Sequence, residues 1–416
     1  MTILLLTIGS HGDVHPFIGL GIALKQRGHR VRVIVNPHFA DLVTQAGLEL
    51  IPLGVPEDFT TIRENPDLWH RRKGFQTVFT LIAKGLEPTY EALMQNYTPG
   101  QTVVAASSLA LAARIAQDKF NIPLATIHLS PAIFRSTISP PKLPGLFMPA
   151  WLPRSFKEFL FAVGDRIVID RLIAPPVNKF RAQLGLPPVH RILNNWWHSP
   201  TRVIGLFPDW YAPPQSDWPP QTRLTGFPLF DELTIRPAPA DLQDFLAAGD
   251  APIVFTPGSA MHHADDFFRT SLAACQKLNR RAIFLSGHTG HIPPNLPPTI
   301  RHFSYIPLSN LLPKSAAVIH HGGIGTSAQS LAAGIPQIIC PFSHDQPDNA
   351  DRLNRLGVAK IIPPHRYRTP HVSAVLHDLL NDPAATARCT QIARKFIGYD
   401  PLTQTCQLIE SLLPVY

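Results

Sequence analysis

Apolar runs of strand length alternate with amphipathic helical stretches in the first half of the chain. Residues 3–8 form one such run, and an apolar stripe at helical spacing separates it from a second run at residues 31–35. The alternation continues with predicted strands at residues 102–106 and 124–129 around a helix at 109–117. Strands that are apolar throughout, each followed by a helix, predict a parallel sheet with helices on both faces.

The same alternation returns in the second half of the chain. Strands are predicted at residues 253–256, 282–286, 318–319 and 336–340, and a helix at about 328–333. Two similar halves of this kind predict the α/β class with two Rossmann-like domains, whose parallel sheets face a central cleft.

A proline- and tryptophan-rich stretch at residues 207–228 separates the two halves and is the best candidate for a domain boundary. We therefore expect a first domain at residues 1–215 and a second at residues 216–395. Residues 396–416 are expected to form a C-terminal helix that crosses back to the first domain.

Residues 130–200 interrupt the alternation within the first domain. They form an irregular insert rich in apolar side chains and proline, with a helix predicted at residues 156–173. Ser155 and Glu158 have the spacing of a capping box at the start of that helix.

Composition narrows the possible functions. The chain has 416 residues, room for two or three domains, and only 16% of them are charged, which excludes a disordered or coiled-coil chain. The formal net charge is +8, but no block of consecutive basic residues occurs, so small anionic ligands or a lipid surface are favoured over nucleic acid. The four cysteines lack metal-binding spacing, and the opening apolar run is too short for a signal peptide or spanning helix, so we expect a cytoplasmic protein.

The segment from His320 to Ser327 combines a strand end, three glycines and a helix start. Glycine lets the backbone approach a phosphate closely, and the free N–H groups of the first helical turn point toward it. His321 and the hydroxyl of Thr326 could add hydrogen bonds to a diphosphate. A tight structural turn without a ligand explains the glycines equally well.

Asp345 and Gln346 follow the next predicted strand, so they belong to the same edge of the sheet as the glycine turn. A carboxylate next to an amide can pair with several sugar hydroxyls. Taken alone, Asp345 is better explained as the cap of a helix that begins near residue 347.

The stretch from Tyr305 through HHGGIGTS to Gln346 resembles the donor-binding signature of family 1 glycosyltransferases, and GSHGDVHPF resembles their first acceptor-side loop. These are inverting, metal-independent enzymes of the GT-B fold, and the resemblance covers essentially the whole chain. It is greatest to the rhamnosyltransferases of bacterial rhamnolipid synthesis. The segments that carry this are HSP at 198–200, LFPDWYAPPQSDWP at 206–219, TGFPLFD at 225–231 and HDQPDNADRL at 344–353.

The resemblance implies a nucleotide-sugar site in the second domain. Tyr305 would stack on the base, Ile306 would bind the base through its backbone, and Asp345 and Gln346 would hold the sugar. The residues implied for the diphosphate are those of the two glycine turns: Gly258, Ser259, His321, Gly323, Gly325 and Thr326. Gln329 stands where relatives carry a glutamate that binds the ribose, a difference that favours a deoxyribose donor such as dTDP-rhamnose over a UDP-sugar.

Asp13 falls where the family places its catalytic His or Asp, and by that resemblance would take the proton of the acceptor hydroxyl. From the residues alone, the N-cap of the first helix is the better explanation of Asp13. Many relatives orient a catalytic His with a second Asp, but the matching place, Ala106 and Ser107, has no carboxylate, which fits a lone Asp base. His11 and His15 are expected to form loop hydrogen bonds.

Metal chemistry is not expected. No D-x-D triplet occurs, and the pair His262 and His263 has only Asp265 and Asp266 nearby, with no further ligand at a suitable spacing. The co-substrate is therefore expected to be the nucleotide sugar alone, without a cofactor.

Aromatic residues in the irregular part of the first half are candidates for an apolar acceptor pocket or, with equal weight, for ordinary core. They are Phe75, Phe79, Phe134, Phe147, Trp151 and Trp196. The basic residues of the predicted 156–173 helix allow peripheral contact with an anionic membrane, although a buried helix with a solvated basic face explains them better.

The leading hypothesis is an inverting glycosyltransferase that transfers L-rhamnose from dTDP-L-rhamnose to a 3-(3-hydroxyalkanoyloxy)alkanoate, making a mono-rhamnolipid. A UDP-glucose-dependent glucosyltransferase for sterol, phenolic or other lipid acceptors is the first alternative. A sugar-nucleotide 2-epimerase shares the two-domain architecture, and a non-catalytic lipid- or nucleotide-sugar-binding relative would also keep the fold.

Overall fold

The computed structural model describes residues 1–70, 73–149, 151–233, 235, 239–258 and 264–412. The chain divides into two compact units. The first contains Met1–Pro228 and Asp400–Tyr416, and the second contains Leu229–Tyr399.

The first unit contains a seven-stranded sheet in the order β3-β2-β1-β4-β5-β6-β7, and every pair of neighbours is parallel. The strands are β1 Thr2–Leu6, β2 Arg30–Val35, β3 Glu49–Pro52, β4 Thr102–Ser107, β5 Leu124–His128, β6 Arg202–Gly205 and β7 Thr222–Leu224. The helices are α1 His11–Gln26, α2 Ala40–Gln45, α3 Pro56–Glu64, α4 Gly74–Lys84, α5 Leu86–Met94, α6 Leu111–Phe120, α7 Arg154–Gly164 and α8 Asp170–Gln183. The strand order reverses between β1 and β4, so the loops after these two strands begin at the same edge of the sheet.

The second unit repeats this design with six parallel strands in the order β10-β9-β8-β11-β12-β13. The strands are β8 Ile253–Thr256, β9 Ala282–Leu285, β10 Ile300–Phe303, β11 Ala317–His320, β12 Gln337–Ile339 and β13 Ala359–Ile361. The helices are α9 Ala240–Ala247, α10 Asp265–Leu278, α11 Leu308–Leu311, α12 Ile324–Ala333, α13 Gln346–Arg355, α14 Thr369–Leu380 and α15 Pro383–Ala393. Its order reverses between β8 and β11. The α/β class with two parallel sheets is therefore confirmed.

The last helix, α16 Pro401–Glu410, belongs to the first unit. It packs against α1, where the Arg27 guanidinium donates two hydrogen bonds of 2.7 Å to the Glu410 carboxylate. The hydrogen bond from Arg27 is the main cause that lowers the pKa of Glu410 to about 2. The hydroxyl of Thr405 donates to the backbone carbonyl of Pro401 at 2.7 Å and accepts from the hydroxyl of Thr225 at 2.8 Å, a buried contact between α16 and the first segment of the unit.

The boundary between the units lies after Pro228, whereas the sequence pattern suggested residue 215. The reason is strand β7, which follows the proline-rich stretch and pairs with β6 from Val203 to Gly205. The residues between 215 and 228 therefore complete the first sheet.

The insert contains one continuous helical stretch that is longer than predicted. Helix α7 passes through a π-helical turn, Asp165–Ile169, directly into α8, so the helical stretch covers residues 154–183. It begins at Arg154 with Pro153 as its N-cap, so the predicted capping box of Ser155 and Glu158 is wrong. None of the helices among the described residues is long and apolar enough to cross a membrane.

Candidate active site

Asp13 lies just beyond the carboxyl end of β1, in the first turn of α1. Its Oδ2 atom accepts two hydrogen bonds from Ser10, one from the backbone N–H at 2.8 Å and one from the hydroxyl at 3.1 Å. The N-cap is Ser10, and Asp13 is the third helical residue. The interpretation of Asp13 as the N-cap is therefore corrected: its carboxylate caps the helix from within the first turn, because α1 already begins at His11.

The loop before α1 holds this carboxylate in one orientation. Gly9 has a φ of +138°, and a Cβ atom there would lie 2.2 Å from Asp13 Oδ2, so only glycine fits. The hydroxyl of Thr7 donates to the backbone carbonyl of Asp13 at 3.0 Å. Asp13 is half-buried at the point where the strand order of the first sheet reverses, which is where ligands of such sheets bind.

The end of the neighbouring strand does not orient Asp13 with a charge. Ala106 pairs with Leu6 of β1, and Ser107 is the last residue of β4. The hydroxyl of Ser107 accepts a hydrogen bond from the backbone N–H of Leu109 at 3.2 Å, within its own turn. The Asp13 carboxylate is thus oriented by the hydrogen bonds from Ser10, which belongs to its own loop.

Aromatic rings surround the same loop and form what we call the first-loop aromatic cluster. Its members are His11, His15, His38, Phe39 and Phe59. The ring centroids of His11 and Phe39 are 4.9 Å apart, and His38 stacks on Phe59 at 4.2 Å. Burial, together with the charge of Arg63, lowers the pKa of His38, so this ring is neutral near pH 7. The His38, Phe39 and Phe59 rings in this cluster can bind the apolar part of a hydroxylated acceptor.

Three of the predicted acceptor-pocket aromatics are core residues, which corrects the prediction. Phe79 and Trp196 belong to the main hydrophobic core of the first unit, where the Trp196 indole N–H donates to Asp118 at 2.7 Å. Phe134 is buried and stacks on Trp218 at 4.4 Å. Their surfaces are covered by protein contacts, so they cannot line an open pocket.

The other three aromatics of that prediction reach the surface. Phe75 is partly exposed and packs on Phe79 with ring centroids 4.6 Å apart. Phe147 and Trp151 are 80% and 77% exposed. Their position on the surface of the first unit is compatible with contact to a partner or a ligand.

In the second unit, a glycine turn follows each of the central strands β8 and β11. The ring of His321 lies between the two turns: a Cβ atom at Gly258 would be 2.8 Å from its Cε1, and one at Gly323 would be 2.3 Å from its Nε2. Both positions therefore need glycine. Burial lowers the pKa of His321 to about 4, so the ring is neutral near pH 7. A hydrogen bond from the ring to the backbone of Thr256 opposes this shift, so donating a second hydrogen bond to a phosphate oxygen requires a protonated ring, which a bound anion would favour.

His320 fixes the start of the second turn. Its Nδ1 atom accepts from the backbone N–H of Gly322 at 3.1 Å, and its Nε2 lies 2.9 Å from Gln337 Oε1. Because a backbone N–H can only donate, Nδ1 carries no proton and the Nε2–H donates to Gln337. Burial lowers the pKa of His320 to about 3, in agreement with this neutral tautomer. No role for His320 was predicted from the sequence.

Helix α12 begins directly after this turn, with Gly323 as its N-cap. Thr326 is half-buried and Gly325 is exposed in the first helical turn. The N–H groups of a first helical turn have no partner within the helix and carry partial positive charge, so this end of α12 can bind an anion. Gln329 lies one turn further and is only 7% exposed.

The loop after β12 brings Asp345 to the glycine turn. The buried amide of Asn349 donates to Asp345 Oδ2 at 2.8 Å and to the backbone carbonyl of Gly322 at 3.0 Å. Asp345 is the N-cap of α13, as the sequence pattern taken alone predicted. Its side chain makes no capping hydrogen bond to that helix. Asn349 thus connects the turn after β11 with the carboxylate after β12.

Gln346 is buried, and its Oε1 atom accepts from the backbone N–H groups of Phe342 and Ser343 at 2.8 and 3.1 Å. That oxygen shapes the loop. Gln346 therefore holds the loop that carries Asp345. This role was not part of the prediction, which placed Gln346 at the sugar.

Tyr305 and Ile306 follow β10. The hydroxyl of Tyr305 donates to the backbone carbonyl of Asp231, and the Asp231 carboxylate accepts from the backbone N–H of Ser309 at 2.6 Å. Ile306 is buried. Asp231 therefore fixes both the Tyr305 ring and the start of helix α11.

Ser259 lies outside the described residues, as do His262 and His263. Within the described part of the chain, no group of three or more His, Cys, Asp or Glu side chains is arranged to hold a metal ion.

Family comparisons cover both units. The N-terminal domain of glycosyltransferase family 28 matches residues 3–138, and the erythromycin biosynthesis protein CIII-like C-terminal domain matches residues 279–407. The sequence motifs resemble those of family 1, whereas the domain that matches the first unit is that of family 28. Membership of family 1 therefore stays a prediction.

Individual relatives cover nearly the whole chain. The O-mycaminosyltylonolide 6-deoxyallosyltransferase of Streptomyces fradiae is 30% identical over 99% of this chain and 97% of its own. The solved glycotransferase of kitacinnamycin superposes with a TM-score of 0.74 at 21% identity, with 99% of both chains covered. The spinosyn rhamnosyltransferase SpnG, solved with thymidine diphosphate, superposes with a TM-score of 0.69 at 18% identity over 98% of this chain and 100% of its own. Sequence and fold together show that this chain belongs to the GT-B glycosyltransferases and is a hexosyltransferase-type enzyme.

Proposed function

We propose that the protein is an inverting glycosyltransferase that moves a 6-deoxyhexose from a dTDP-sugar to a hydroxyl of a hydrophobic acceptor. The observation that carries the proposal is the neutral ring of His321, held between Gly258 and Gly323 at the N-terminus of α12. This arrangement offers an imidazole ring, close backbone approach and a helix terminus to one anionic group.

In the proposed reaction, the acceptor oxygen attacks the anomeric carbon and forms the new C–O bond as the bond to the diphosphate breaks. Asp13 takes the proton of the acceptor hydroxyl. The negative charge that develops on the diphosphate is stabilised by His321, by Thr326 and by the first turn of α12, in place of a metal ion. Attack opposite the leaving group inverts the anomeric configuration.

We assign the remaining donor contacts by the same reasoning. Tyr305, fixed through its hydroxyl, stacks on the base, and Ile306 offers its backbone to the base edge. Asp345 binds sugar hydroxyls, and Gln346 keeps the loop of Asp345 in place. Ser259 and Gly325 complete the diphosphate contacts.

The best candidate for the donor is dTDP-L-rhamnose. Gln329 is buried in α12, where an uncharged amide replaces the glutamate that binds a ribose in relatives. The names of two similar proteins mention a 6-deoxyallosyl transfer and, for the spinosyn enzyme, rhamnosyl transfer with thymidine diphosphate bound. These features support a deoxysugar on a thymidine nucleotide, and UDP-glucose is the alternative donor.

For the acceptor we propose a 3-(3-hydroxyalkanoyloxy)alkanoate, which would give a mono-rhamnolipid. The first-loop aromatic cluster beside Asp13 suits an apolar chain with one reactive hydroxyl. Such an acceptor partitions into membranes, so the proposal includes peripheral association at the cytoplasmic face of the membrane. A sterol, phenolic or other natural-product acceptor is the alternative, and a non-catalytic relative is the alternative of another class.

The test is a product screen by mass spectrometry with dTDP-L-rhamnose and UDP-glucose, each combined with the lipid acceptor, a sterol and a phenol. We expect a rhamnosylated lipid that depends on both substrates. Product from UDP-glucose alone would overturn the donor assignment. Complete absence of product from every pair, with nucleotide binding retained, would support the non-catalytic relative.

A further inference from the structure

The helical stretch of residues 154–183 turns large apolar side chains toward solvent. Phe156, Phe159 and Ile167 are 47%, 58% and 50% exposed. Phe156, Phe159 and the half-buried Val163 recur at spacings of three and four residues within α7, which puts them on one stripe of the helix, and Ile167 follows in the π-helical turn. The rings of Phe156 and Phe159 lie 6.0 Å apart. A group of exposed apolar side chains of this size marks an interaction site.

Residues close to this stripe in the sequence share its exposure, and we call the exposed apolar and basic side chains of residues 147–179 the apolar–basic face. Its apolar members are Phe147, Trp151, Phe156, Phe159, Ile167 and Val168. Its exposed basic members are Arg154, Arg166, Arg171 and Lys179, and Glu158 is the one exposed acidic residue between positions 151 and 183. The face is therefore both apolar and positively charged.

The opposite side of the helical stretch is firmly anchored in the first unit. Lys157 is buried and donates to the backbone carbonyl of Thr137 at 3.1 Å. Asp165 is fully buried and forms ion pairs with Arg135 and Arg191. These contacts fix the rotation of the helix, so the exposure of its apolar stripe is a property of the folded unit.

A depression of about 370 Å³ lies along the later part of the same helical stretch, and Arg166, Arg171 and His190 line it. Asp170 also lines it, but its two carboxylate oxygens accept hydrogen bonds from the backbone N–H groups of residues 191 and 192 at 2.7 and 3.1 Å. The carboxylate is thus engaged with the backbone. The two arginines give the depression the charge and size that suit a phosphate head group.

We propose that the apolar–basic face binds the surface of a membrane that contains anionic phospholipid. The aromatic side chains enter the boundary between head groups and acyl chains, and the depression receives a lipid phosphate. A protein partner fits less well, because the centres of protein interfaces are depleted in charge, whereas three exposed arginines accompany the apolar residues of this face. The proposal goes beyond the glycosyl transfer and holds for any acceptor.

The test is flotation of the purified full chain with lipid vesicles, without donor or acceptor, so that its failure leaves the transfer reaction untouched. We expect binding to vesicles of phosphatidylcholine with phosphatidylglycerol, and weak binding to phosphatidylcholine alone. The double variant F156S/F159S should reduce partitioning at least tenfold on both. The double variant R166Q/R171Q should reduce it about 25-fold on the anionic vesicles only, at about fivefold per charge.

Matched controls come from the second unit. Ile397 is 80% exposed and Arg301 is exposed, so I397S and R301Q change a similar side chain away from the face and should bind like the parent. A thermal melt checks that each variant is folded. No vesicle binding by the parent, or equal losses for face and control variants, would overturn the proposal. A self-associated parent that F156S/F159S converts to monomer, without vesicle binding, would identify the face as a protein interface and also overturn it.

Discussion

Replacing Asp13 with asparagine removes the charge that the proposed base needs and keeps the size of the side chain. A positioned general base contributes about 10²–10⁴ in rate, which is about 3–5 kcal/mol of transition-state stabilisation. The same carboxylate also caps α1 through its two hydrogen bonds from Ser10. Loss of a capping interaction costs about 1 kcal/mol of folding free energy, so the two roles of Asp13 differ clearly in size.

The assay is kcat with saturating donor and acceptor, measured next to the free energy of unfolding for D13N and S10A. The Ser10→Ala variant removes the hydroxyl contact to Asp13 Oδ2 at 3.1 Å and leaves the carboxylate in place. We expect both variants to lose about 1 kcal/mol or less of stability. Only D13N should lose at least a hundredfold in kcat, with its affinity for the nucleotide sugar unchanged. A D13N enzyme that keeps more than a tenth of kcat, or an S10A enzyme that loses as much as D13N, would refute Asp13 as the base.

Three further predictions concern the second unit and acid stability. Gly258→Ala strains a φ of +97° and puts a Cβ atom 2.8 Å from the His321 ring. The KM for the donor should therefore rise at least tenfold, with a smaller change in kcat. An unchanged KM would contradict the assignment of this turn to the diphosphate. Asn349→Ala removes the hydrogen bond to Asp345 Oδ2. Binding calorimetry should therefore show a greater loss of affinity for the nucleotide sugar than for the free nucleoside diphosphate. Equal losses would argue against sugar binding by Asp345. Burial lowers the pKa of His198 to about 4, below the 6.5 of an unfolded chain. Between these two pH values the folded state binds fewer protons than the unfolded state, so the protein loses stability as the pH falls from 6.5 to 4. In denaturant unfolding across this range, the free energy of unfolding of His198→Gln should depend less steeply on pH than that of the parent. An unchanged dependence would show that His198 is not the source of this acid sensitivity.

Much of the fold follows from local sequence. Strands β1, β4 and β8 are nearly continuous apolar runs, and burial between two layers of helices accommodates such runs, so their position along the chain was predictable within one or two residues. The unit boundary was not predictable, because β7 is only Thr222–Leu224 and has no apolar pattern. Its assignment depends on pairing with β6, which is a contact between distant residues.

The candidate site shows the same division between local and long-range information. The glycine turn and the loop of Asp345 could be recognised as motifs, and the position of Asp13 came from a family resemblance. Asn349 could not be identified, since its bridge joins Gly322 and Asp345 only after two strands pair. Phe39 and Phe59 also carry no motif, and they meet His11 only in the folded first unit.

Aromatic composition was a poor guide to the acceptor side. Phe79 and Phe134 have the same sequence character as Phe147, yet the first two are buried and the last is 80% exposed. Burial depends on tertiary packing, which a single sequence does not contain. The exposed aromatics of the insert became informative only when the helix rotation was known.

The proposed function depends on one reaction, the transfer of a sugar from a nucleoside diphosphate to a lipid hydroxyl. It is tested most directly by following dTDP release and acceptor mass together, with dTDP-L-rhamnose and a 3-(3-hydroxyalkanoyloxy)alkanoate. We expect one dTDP released for each rhamnosylated lipid, and no dTDP release without the lipid. Consumption of the donor at the same rate without an acceptor, and no glycosylated lipid, would contradict it.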